Sequence, residues 1–291
     1  MATRLHIRNP AEWAVDQVVS AGAAAKSVVQ SVIGTDEGRR AAAPVVRRIA
    51  LRDLRDVLAK GLDDTGAYRT DVFFLCLVYP VIGLILIGLM FHQELLPLVF
   101  PIAAGFALVG PAAAVGLYEM SRRRERGLNT TWLDAFEVIG SRAFGAIAVL
   151  GLILLAVFLA WLFAAYAIYE ATLGPEPPAS IESFVRDVFT TDAGWTMIGI
   201  GMGVGFLFAV LVLSISVVSF PLLLDQEVGL TRAMSTSVRA VAMNPLPMAV
   251  WGLIVAGGLV LGSLPLLLGL VIVMPVLGHG TWHLYRKVVA R

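Results

Sequence analysis

The chain has 291 residues, 58% of them hydrophobic and 15% charged, with a mean hydropathy of +0.83. Soluble proteins run at about 45–50% apolar and about 25% charged, so an ordinary water-soluble globule is excluded, as is disorder, which needs low hydrophobicity. A net charge of +1 gives no reason to expect nucleic acid as a partner, and the single cysteine, Cys76, excludes a disulfide scaffold.

What remains is an all-α polytopic membrane protein. Residues 1–70 read as a soluble or surface segment ahead of a membrane domain over 71–291. Met1–Gln30 shows no long apolar core with a cleavage site, so no signal peptide is expected. Glu12–Ile33 is rich in Ala and Val and reads as helical, and Gly34–Gly38 as a break. Pro44 suits a helix start, where its missing N–H costs nothing. In the following stretch, Val46, Ala50, Leu51, Leu54, Val57, Leu58 and Leu62 fall on one arc of a helix. Arg48, Arg52, Asp53, Arg55, Asp56 and Lys60 fill most of the other, and Arg47 intrudes on the apolar arc. Such a helix either lies in the lipid interface, its arginines meeting anionic head groups, or packs on the protein's own loops.

A membrane-crossing helix needs roughly 20 apolar residues. Val72–Phe91 and Leu95–Tyr118 make a first hairpin. Ala143–Tyr169 and Gly194–Leu224 follow, the latter interrupted near its end by Pro221. Pro245–Gly278 as one helix would be about 51 Å long, too long for a simple crossing. Folded at Gly262–Pro265, it gives spans near 245–261 and 265–280. Six spans, as three hairpins with both ends cytoplasmic, put every Lys and Arg inside except Arg186. Five spans would put Arg286, Lys287 and Arg291 outside.

The most distinctive text follows the first loop. Gly105–Gly127 reads GFALVGPAAAVGLYEMSRRRERG. It resembles the bacterial predicted integral membrane proteins grouped as a domain of unknown function, and Arg47–Asp64 resembles the segment that opens that family, giving a likeness over roughly 44–285. The resemblance implies a multi-pass protein of the inner membrane and carries over no catalytic residue.

Read physically, Pro111 beside Gly110 should kink the second span. Glu119 precedes Arg122, Arg123, Arg124 and Arg126. It either gates or binds a cation, or pairs with an arginine one turn on while the arginines meet lipid. Gly199/Gly203 and Gly201/Gly205 have the small-xxx-small spacing of close helix packing. Glu125–Leu128 (ERGL) and Glu227–Leu230 (EVGL) each follow a proline-bearing span and precede a semi-polar helix, suggesting a repeated hairpin. His279 and His283 share a helical face and could hold a metal or haem with a third ligand such as Asp225 or Glu119. Beside Trp282 and Tyr285 they fit an aromatic belt equally well.

No cofactor is expected, and no Ser/His/Asp grouping is visible along the chain. The composition favours a non-enzymatic scaffold or accessory subunit, with the lipid bilayer and a membrane-protein partner or second copy as its contacts. The alternative is a channel for a small neutral solute, for which Tyr79, Tyr118, Tyr166, Ser214, Ser216 and Ser219 are the polar lining available.

Overall fold

The computed structural model describes residues 44–89, 93–226 and 228–290. The expected helix at Glu12–Ile33 and the break at Gly34–Gly38 lie outside the described residues. Within them the chain is helical, and the one pairing of extended backbone is a bridge between Val46 and Val289.

The helices are α1 (Leu51–Ala67), α2 (Arg69–Cys76), α3 (Val78–Leu89), α4 (Val99–Ala113), α5 (Val115–Glu125), α6 (Phe144–Thr172), α7 (Ile181–Thr190), α8 (Asp192–Ser216), α9 (Ser219–Asp225), α10 (Leu230–Met243), α11 (Pro245–Ser263) and α12 (Leu270–Val288). Two 3-10 segments, Gln93–Leu98 and Trp132–Gly140, precede α4 and α6.

Three units are long and apolar enough to cross a membrane unaided: α6, α8 with α9, and α11. The bent pair of α1 with α2–α3 makes up to four. Of the other expected spans, the second is broken into shorter helices and the last forms a helix of 19 residues that is not apolar enough to count. The α4 helix stops at Ala113, and α12 leaves its apolar stretch to end among His279, His283, Arg286 and Lys287. Pro245–Gly278 is two helices, parted by a turn in which Leu266 and Leu267 hold left-handed φ values of 52° and 66°.

Both proline breaks fall close to their prolines. Pro111 lies inside α4, and the helix ends two residues later, restarting at Val115. Pro221 has no N–H to give the Val217 carbonyl one turn back, and Val217–Val218 is where α8 gives way to α9.

The α6 helix packs between α4 and α8. Trp161 donates from Nε1 to the Pro101 carbonyl at 3.0 Å and stacks obliquely on Phe208. The outer faces carry bare apolar side chains: Leu152, Leu159 and Phe163 on α6, Phe206 and Leu207 on α8, Leu253 and Leu261 on α11. So wide a band of exposed hydrocarbon is a lipid-facing wall, because water-soluble monomers rarely expose contiguous patches of that size.

Candidate functional site

One end of the molecule is a layer of paired charges built around α5. The arginines of Ser121–Gly127 reach three different elements. Arg122 pairs with Glu119 one turn back, at 2.7 Å, and donates to the Leu224 carbonyl of α9. Arg123 bridges Asp134 and Glu137 of the second 3-10 segment, at 3.1 and 2.5 Å. Arg124 binds Asp64 and Asp63 of α1. Arg126 lies 3.9 Å from Asp225 at the end of α9. The arginine run therefore meets the protein's own acids. Of the two readings of Glu119, the pair with the next turn is the one present, and Glu119 is buried by it.

Gly127 ends α5 in the left-handed region, φ 69°, which lets the chain leave the helix without Cβ strain. Its counterpart Gly229 has φ −70° and opens α10. The two matched tetrapeptides thus sit at like places, after a short helix beyond a break, with different local geometry.

The α1 helix is docked against α12, its most extensive partner. Leu54, Val57, Gly61, Asp64 and Thr65 form the buried stripe. A Cβ on Gly61 would lie 2.6 Å from the Val276 carbonyl oxygen and 2.8 Å from the Gly280 nitrogen, so the two helices meet backbone to backbone there. The end of α12 is fastened further by Lys287, which pairs with Asp56 at 2.9 Å and Asp53 at 3.2 Å. The hydrogen bond to Asp56 raises the ammonium pKa above its usual value despite partial burial. Arg47 N–H donates to the Val288 carbonyl and Ala290 N–H to that of Val45, while Asn244 caps the same strand by donating to the Arg47 carbonyl. Of the predicted apolar arc, Leu51 and Leu62 stay exposed, beside the exposed Arg48, Arg52 and Arg55. Packing and exposure thus occupy two sides of one helix.

Where α1, α5 and α12 meet, five residues from these three distant helices converge. The Ser121 hydroxyl donates to Asp64 Oδ2 at 2.6 Å and stands 2.7 Å from His279 Nδ1. With that proton given to Asp64, Nδ1–H of His279 donates to Ser121. His283 donates from Nε2 to the same carboxylate oxygen at 2.8 Å, and Arg124 takes the other oxygen. Burial alone would raise the Asp64 pKa. The hydrogen bonds from His283 and Ser121, with His279 nearby, overcome it and hold the carboxyl down at about 2.

This Ser/His/Asp constellation does not have the order of a hydrolytic triad. Ser121 is 1% exposed and His279 fully buried, and Ser121 rather than the histidine is the middle member. Among the described residues no group of three or more His, Cys, Asp or Glu is arranged to hold a metal ion. The third ligands considered for His279 and His283 are engaged elsewhere, Asp225 with Tyr285 and Arg286 and Glu119 with Arg122. A cleft of about 200 Å³ opens onto the junction, lined by Lys60, Asp63, Asp64, Ser121, Arg124, Glu125 and His283.

The glycine rows do not pack as their spacing suggests. Among the described residues a Cβ on Gly110, Gly199, Gly201 or Gly203 would meet nothing within 4 Å, and Gly199 and Gly203 are exposed. Gly205 alone of its row touches a neighbour, Trp161 of α6. Small residues permit a close approach without supplying the helix that makes it. Three of the hydroxyls offered for a solute path are used locally. Ser216 and Ser219 bond to the carbonyls of Val212 and Ile215, and Tyr79 to that of Ala113.

Residues 99–225 match the family model described as a predicted integral membrane protein, DUF2189. The match runs from the start of α4 to the end of α9 and holds the whole Gly105–Gly127 text. It leaves α1 and α12 outside, so Ser121 and Arg124 come from the matched part and Asp64, His279 and His283 do not. No curated protein and no solved structure matches the chain.

Proposed function

We propose that the protein is a non-enzymatic scaffold or accessory subunit of the bacterial inner membrane, crossing it six times with both ends cytoplasmic. Its charged end then faces the cytoplasm, with α1 lying on anionic lipid. The observation that carries the lipid contact is the outer face of α1. Leu51 and Leu62 are bare beside Arg48, Arg52 and Arg55, for which the described residues offer no ion pair, and α1 meets the axis of α2–α3 at 98°. A helix turned sideways from its span, with leucines beneath and arginines alongside, suits the head-group region. The even number of crossings is supported by the pairing of Val46 with Val289, which brings both ends of the described chain together.

The test uses the full chain reconstituted in mixed vesicles with spin-labelled phosphatidylglycerol or phosphatidylcholine. The wild type should immobilise the anionic lipid preferentially, with the preference falling as salt rises. Arg48→Gln/Arg52→Gln/Arg55→Gln should lose most of that preference while keeping its melting temperature. An unchanged preference in the triple variant would overturn the lipid role of α1.

A further inference from the structure

The 3-10 segment Trp132–Gly140 has three residues per turn, so side chains three apart stack into rows rather than spiralling around the axis. Its sequence fills three rows with three kinds of group. Ala135 and Val138 are buried against the bundle. Asp134 and Glu137 both bind Arg123 of α5. Leu133, Phe136 and Ile139 form the third row and are exposed by 60%, 49% and 59%. Arg123 and the buried row fix the rotation of the segment, so the apolar row is held outward.

We infer that this row is seated in the bilayer, at the boundary between head groups and acyl chains, making Trp132–Gly140 an in-plane anchor for the junction. Two observations choose lipid as the occupant. The segment ends at Gly140, shortly before Phe144, itself 39% exposed, opens the α6 face that carries Leu152, Leu155 and Leu159 outward. The row thus continues the lipid-facing wall around a corner. The two carboxylates of the segment are turned onto Arg123, away from the row, so seating the row in hydrocarbon does not drag a free charge with it. The inference holds whichever side of the membrane the charged layer occupies, and so stands apart from the function proposed above.

A nitroxide placed singly at Leu133→Cys, Phe136→Cys or Ile139→Cys, and at exposed Asn129→Cys as an aqueous reference, reads the occupant directly. The full chain, with Cys76→Ala as background, is reconstituted in nanodiscs of phosphatidylcholine and phosphatidylglycerol. Oxygen should reach the three row positions several-fold better than a neutral nickel chelate does, with the reverse at Asn129. Ready access of the chelate to the row would mean that water covers it. Poor access of both reagents would mean that protein covers it, another copy included. Either result overturns the inference. Should the Cys76→Ala background prove unstable, the same labels on the native background serve, because Cys76 is buried and shielded from the reagent.

Discussion

Asp64 and His283 stand 2.8 Å apart although 219 residues separate them. The bond joins the last turns of α1 to the polar end of α12, and with Ser121 and Arg124 it draws α5 into the same contact. Three elements that meet the membrane domain at different points are thereby locked at one carboxylate.

That carboxylate gives the fold an acid limit. Folded, it titrates near 2, and unfolded, near 3.8. Its bonds therefore contribute fully above pH 3.8 and are lost as the pH falls towards 2, a change of roughly 2 kcal/mol. Asp64→Asn should melt at a lower temperature than the wild type at pH 7, by about 2–3 kcal/mol of stability, since it leaves Arg124 only the more distant, exposed Asp63. The two proteins should converge below pH 3. Melting temperatures that lie as far apart at pH 2 as at pH 7 in detergent would refute this account of the junction.

The glycines make a paired prediction. Gly61→Leu drives a side chain into the Val276 carbonyl and should cost about 3 kcal/mol or more, or release α1 from α12. Gly203→Leu enters open space and should change the melting temperature little. Protease sensitivity near Gly61 and thermal melts of both variants measure the difference. A Gly203→Leu protein as damaged as Gly61→Leu would mean that a second chain lies on α8.

Lys287 should act at the alkaline end. Its raised pKa means that pairing with Asp56 and Asp53 stabilises the fold below its ordinary value of 10.5 and fades as the pH rises through the folded value. Lys287→Met should cost no more than about 1 kcal/mol at pH 7, since the pair is partly exposed. The deficit should begin to shrink above pH 10.5, as chemical unfolding at pH 7 and 11 would show.

Much of this architecture was legible because lipid imposes simple rules. Apolar runs marked the helices, Pro111 and Pro221 marked the breaks, and Gly262–Pro265 marked the division of the last run. The junction was not legible. Asp64 and Ser121 carry no local mark, and His279 and His283 read as a metal pair or as belt residues, because what defines all four is the meeting of α1, α5 and α12. The arginine run misled in the opposite way. Its local text fits a lipid-facing cluster, whereas its acids arrive from α1, α9 and the segment at Trp132. Small-residue spacing at Gly199 and Gly203 likewise reports what a helix allows, and nothing local reports whether a neighbour comes.

The six-crossing reading has its own check. Reporter fusions after Gly127, after Asn244 and at Arg291 should all report cytoplasm, and one near Pro178 the opposite side. An Arg291 fusion that alone reports outside would make the number of crossings odd. It would also contradict the pairing of Val46 with Val289.

The clasp between α1 and α12 also sets an order of events during synthesis. The α1 helix leaves the ribosome long before the helix it docks on, so Gly61 and Asp64 wait without partners while the intervening spans are inserted. Bringing such distant segments together carries the entropy cost of closing a long loop, which places this contact late in folding. Until then the inner face of α1, a buried-type stripe with a carboxylate in it, is open to lipid, water or a chaperone. A chain cut short before α12 would keep that face open permanently, giving quality-control proteases a mark by which to tell an unfinished molecule from a finished one.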